Sequence, residues 1–149
     1  MSHGSILVGV DGSKPSVRAL DWATQQAHVM DARLTLVCAY GSPAYAGARL
    51  NGGPIGVNSG DLRATAELVI AQSLDRCVVA RVQATGHAVD ADALAALVDQ
   101  SAGMDLVVIG TRSGGGLIQR SLGRVSIALP AHAACPTVVV PYRTLGSAA

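Results

Sequence analysis

Two short stretches of the chain carry residues whose types and spacing can do chemistry. The first is Asp11-Gly12-Ser13, an acidic turn directly after the aliphatic run Ser5 to Val10. The second is Met104 to Ser126, MDLVVIGTRSGGGLIQRSLGRVS. There the apolar run Asp105 to Ile109 leads through Gly110, Gly114, Gly115 and Gly116 to Gly123, after which Val125, Leu129 and Ala133 fall at helical spacing. Glycine lets a backbone turn through conformations that a Cβ forbids. A loop of this kind that feeds a helix offers unpaired N–H groups and a positive dipole end to an anion. If the strands before the two stretches are neighbours, a carboxylate faces an anion-binding loop. That pairing suits a nucleotide, with the carboxylate for sugar hydroxyls or a base amine and the N–H groups for phosphates.

The elements that must position these residues follow from periodicity. Ser5 to Val10 reads as a buried strand, and Ser13 as the N-cap of a helix with Pro15 in its first turn and Val17, Leu20, Ala23 and Ala27 on one face, ending near His28. Trp22 stands at the edge of that face. Ala32 to Ala39 is a second strand. The stretch Gly41 to Gly60 is rich in Gly, Pro, Ser and Asn and reads as a flexible loop or a lid, with disorder favoured. Asp61 to about Arg76 is helical, and the alternation from Cys77 to Ala84 predicts a third strand that Gly86 breaks. Asp90 is expected to cap a helix bearing Leu94, Leu97 and Val98 that Gly103 closes. A fourth strand, Asp105 to Ile109, is ended by Gly110, and a helix over Arg124 to Ala134 precedes a fifth strand, Thr137 to Val140, ended by Pro141. The tail from Thr144 is expected to fray.

The alternation of strands and helices predicts an α/β fold, an open parallel sheet of five strands with helices on both faces. Ligands of such sheets bind beyond the carboxyl ends of the strands. Both chemical stretches follow strands and reach that edge. Asp105 begins its strand and falls at the opposite edge, which argues against a metal-binding pair with Asp11.

Composition narrows the class. At 149 residues, a single domain with its own core is expected. Half the residues are apolar but Phe is absent, so the core must be built from Ala, Val, Leu and Ile. The net charge is +1, and the basic residues, Arg except for Lys14, are scattered. Neither the basic patch nor the aromatic platforms of a nucleic-acid binder are present. The absence of a signal segment or a long apolar run points to a cytoplasmic protein with no membrane association. Cys38, Cys77 and Cys135 form no C-x-x-C pair and read as free thiols, and His3, His28, His87 and His132 show no metal-ligand spacing. The loop has no lysine for a P-loop, the first turn lacks G-x-G-x-x-G, and Gly110-Thr111-Arg112-Ser113-Gly114 puts its serine one position late for a nucleophile elbow.

VGVDGS near the start, DLVVIGTRSGGGLIQRSLGRVS in the second half and HAACPTVVVP near the end occur in an order that resembles the universal stress protein family over nearly the whole chain. The resemblance implies a Rossmann-like sheet of the adenine nucleotide alpha hydrolase type, with strand order 3-2-1-4-5. It also implies a stress-response or signalling role and a site for ATP or a related adenine nucleotide, with Mg²⁺ accompanying it. Gly9, Val10 and Asp11 would line the adenosine side and Ala39 would border the adenine. Ile109, Gly110 and Ser113 would follow the loop, and Gly123, Arg124, Val125 and Ser126 would sit at the phosphate end. Nucleotide-binding members share Gly, two residues, Gly, nine residues, Gly and then Ser or Thr. Here Gly110 and Gly123 fit, Ser113 replaces the second glycine, and Arg124 replaces the hydroxyl residue.

Ser113 still supplies an N–H, and fails only where a positive φ is needed or its Cβ meets the ligand. Arg124 opposes the helix dipole when nothing is bound; it either grips a phosphate or points into water. The sequence offers no general base and no metal cage, so any hydrolysis would be slow. The family also implies a homodimer through the last strand, Thr137 to Val140. A nucleotide-free homodimeric interaction module on the same fold is the alternative reading.

Overall fold

The computed structural model describes residues 3–41, 59–112 and 123–142. Its strands are β1 (Gly4–Gly9), β2 (Ala32–Ala39), β3 (Ala84–Val89), β4 (Leu106–Arg112) and β5 (Thr137–Tyr142). The helices are α1 (Lys14–Met30), α2 (Ser59–Val79), α3 (Ala93–Gln100) and α4 (Gly123–His132). All strand pairings are parallel and the sheet order is β3-β2-β1-β4-β5, as expected.

The strands sort their side chains by the period of two that a pleated backbone imposes. Ile6, Val8, Leu34, Leu36 and Val108 face α1 and α2, where Ala19, Leu20, Ala23, Ala66, Val69 and Ile70 meet them. Leu7, Val37, Val107 and Ile109 face the other way, onto Ala96 and Leu97 of α3 and Leu129 of α4. Many small aliphatic contacts thus fill both layers. Trp22 lies half-buried at the margin of the first.

Local signals act as the sequence suggests at α1. The Ser13 hydroxyl accepts from the Ser16 N–H at 3.3 Å, Pro15 occupies the first turn, and Asp31 ends the helix in a left-handed conformation.

The third strand is a correction. Residues 77–79 are the last turn of α2, and β3 begins only at Ala84. Ala66, Val69, Ile70, Ser73 and Cys77 form one buried helical face, whereas Val78 and Val79 are 73% and 84% exposed. The helix closes on a Schellman pattern, with Val82 N–H donating to the Cys77 carbonyl, Arg81 N–H to Val78, and Arg81 at φ 60°. Gly86 does not break a strand. It lies inside β3, where a Cβ would come 2.6 Å from Cγ2 of Ile70, so its bareness lets α2 approach the sheet.

Smaller corrections concern boundaries. Asp92, not Asp90, caps α3, its carboxylate accepting from the Ala95 N–H at 3.2 Å, and the helix ends at Gln100, before Gly103. Gly110 does not end β4, which continues to Arg112, and β5 passes through Pro141 to Tyr142 beside it. Proline is tolerated there because β5 is an edge strand. The expected loop over residues 41–60 and the tail from Thr144 lie almost wholly outside the described residues. Among the described residues no helix is long and apolar enough to cross a membrane.

Candidate functional site at the carboxyl edge of the sheet

Each helix follows a strand, so the sheet's carboxyl edge gathers the strand ends and the helix N-termini together. Beside β1, Gly9 ends the strand opposite Val37, and the Val10 N–H continues the ladder to the Val37 carbonyl at 2.9 Å. Asp11 follows, exposed. One of its carboxylate oxygens accepts from the Ser13 N–H at 2.9 Å, and its own N–H donates to the Ser16 hydroxyl at 3.2 Å. These bonds hold the turn rigid and leave the second carboxylate oxygen without a partner among the described residues.

Ala39, buried, ends β2 on one side of β1. On the other side β4 pairs with β1 through Val8 and Val108, which puts Ile109 and Gly110 next along the edge. A Cβ at Gly110 would collide with the Pro15 carbonyl oxygen. The glycine is therefore required where the start of α1 lies on β4, a reason distinct from the turn that the sequence suggests. Gly9 is similarly tight: a Cβ there would lie 3.2 Å from a Leu97 methyl and 3.3 Å from Ile109.

Gly123 opens α4, and Val125 and Ser126 are half-buried in its first turns. Arg124 is exposed but does not simply point into water. Its guanidinium forms a two-pronged pair with Asp92, at 3.0 Å to one carboxylate oxygen and 2.9 Å to the other. Asp92 was not singled out by the sequence reading, because its partner stands far along the chain. The only local signal is its capping position before α3. The same rim is tied to the segment after β2 by the Gly41 N–H, which donates to the Ala91 carbonyl at 3.1 Å. Ser113 and Gly114 to Gly116 lie outside the described residues, as do the rest of residues 113–122.

The structure thus brings Gly9, Val10, Asp11, Ala39, Ile109 and Gly110 onto three adjacent strand ends. It adds the start of α4 with Arg124 and joins that to Asp92. No group of three or more metal-ligating side chains occurs among the described residues. Burial holds two of the thiols in the protonated, less nucleophilic form: it pushes Cys77 up to about 11 and also raises Cys135. A surface hollow of about 610 Å³ lies at the other edge, lined by His3, Ser5, Arg33, Gln83 and Thr85 among others. Several polar groups along it are bonded within the chain. His3 pairs with Asp31 at 3.0 Å, the Ser5 N–H with the Asp105 carboxylate at 2.9 Å, and the Leu34 N–H with the Gln83 carbonyl at 2.9 Å.

Comparison with known proteins places this architecture. No curated protein was found to match the chain. A protein of the universal stress protein family from Burkholderia pseudomallei is 26% identical, with a TM-score of 0.66 over 94% of this chain and 97% of that one. A universal stress protein in complex with cAMP is 21% identical, with a TM-score of 0.68 over 94% and 98%. A universal stress protein family protein from Arabidopsis thaliana with AMP bound is 17% identical, with a TM-score of 0.66 over 96% and 94%. The model of the universal stress protein family matches residues 3–141, nearly the whole of the sheet and its helices, and the chain belongs to that family.

Proposed function

We propose that this protein binds an adenine nucleotide at the carboxyl edge of its sheet and acts in stress response or signalling in the cytoplasm. The observation that carries this reading is the meeting of the Asp11 turn, Ala39 and Gly110 on neighbouring strand ends beside the start of α4. The free oxygen of Asp11 suits a ribose hydroxyl or base amine, and the α4 N-terminus with Arg124 suits a phosphate. The cAMP and AMP bound by similar structures support an adenine ligand. ATP is within the reading, with Mg²⁺ held chiefly by its phosphates. The chemistry in this reading is binding, with the Asp11 carboxylate and the start of α4 each holding one end of the ligand.

Melting curves with AMP or ATP and Mg²⁺ test this directly. At ligand about 100-fold above Kd the midpoint is expected to rise by about 5–10 °C, and Asp11→Ala to lose most of the shift. No shift at millimolar nucleotide contradicts binding, and a full shift in the variant contradicts the site. The edge strand β5, paired on one side by β4, supports a homodimer through residues 137–142 as part of the same reading. Light scattering at micromolar concentration would show twice the monomer mass.

A further inference from the structure

The pairing of Arg124 with Asp92 gives the phosphate end a feature of its own. A cation in the first turn of a helix is unfavourable when unpaired, and Asp92 neutralises it with two parallel hydrogen bonds. A carboxylate and a phosphate present two oxygens to a guanidinium in the same fork. Arg124 is therefore already arranged for an oxyanion, and the position is filled from within the chain.

We propose that Asp92 is a specificity-determining competitor for Arg124, which damps the contribution of a nucleotide's phosphate so that the site favours nucleoside monophosphates over nucleosides less than an unpaired Arg124 would. The proposal rests on the nucleotide reading above. The carboxylate is the anchored partner: it caps α3 through the Ala95 N–H, and the preceding Ala91 carbonyl holds Gly41. The guanidinium, on a long side chain 60% exposed, is the partner that can swing away, whereas Asp92 is 33% exposed. A pair this open to water is weak. A phosphate carrying close to two charges outcompetes a carboxylate carrying one, and a diester with a single charge gains little by the exchange. Parting the pair does not free the helices. Leu97 and Leu129 pack in one core, and the Ala134 N–H donates to the buried Ser101 hydroxyl at 2.8 Å, tying the far ends of α3 and α4.

Titration calorimetry at fixed ionic strength with AMP, cAMP and adenosine tests the proposal on wild type, Asp92→Asn, Arg124→Gln and the double variant. Asn keeps the cap on α3 while removing the charge. Asp92→Asn is expected to raise the ratio of AMP to adenosine affinity about fivefold, equivalent to about 1 kcal/mol. It is expected to raise the cAMP ratio by less, because a single charge draws less from the freed guanidinium, and the Arg124→Gln background should abolish both gains. An unchanged AMP ratio in Asp92→Asn, or a gain that persists without Arg124, overturns the proposal while adenosine binding leaves the site standing. Failure of all four proteins to bind any of the three ligands at millimolar concentration removes the nucleotide reading itself and this inference with it.

Discussion

At Gly110 one missing side chain decides whether two elements can meet. A Cβ there would overlap the carbonyl oxygen of Pro15, and that carbonyl belongs to the first turn of α1, which has little room to move. Gly110→Ala is expected to cost about 3 kcal/mol or more, read as a lowered midpoint in urea or heat. A loss below about 1 kcal/mol would show that the contact is relaxed. The residue was legible in the sequence as a special glycine, but its reason was not, because Pro15 is distant in the chain and meets it only in the fold. Arg124 teaches the same point. Its charge and helix position were readable, but its partner Asp92 belongs to another helix.

Elements were legible where their signals are local. β2 has the bounds expected, and α1 begins at its Ser13 cap with Pro15 behind it. The end of α2 was not legible. Alternating valines over residues 78–82 resemble a half-buried strand, yet the helical face through Ser73 and Cys77 continues past Arg76 and leaves Val78 and Val79 in water. Gly86, read as a strand breaker, marks the closest approach of α2 to β3. Gly86→Ala is expected to destabilise by about 1–2 kcal/mol through the clash with Cγ2 of Ile70. Ile70→Leu, which removes that branch, should recover part of the loss, so the two changes should couple in a double-mutant cycle. Simple additivity would mean that the contact does not set the spacing.

For the whole molecule, the sheet order does the positioning. By placing β1 between β2 and β4 it brings the turn after the first strand beside the end of the fourth, over a core made of small aliphatics. That convergence was legible in outline, because repeated strand and helix alternation permits few topologies. The most direct test of the central claim is a ¹H–¹⁵N map of the backbone amides as AMP is added. The account predicts saturable shifts concentrated at Gly9 to Asp11, Ala39 to Gly41, Ile109 to Arg112 and Gly123 to Ser126, with His3, Arg33 and Gln83 unmoved. Shifts confined to His3, Arg33 and Gln83, or none at millimolar AMP, would contradict it.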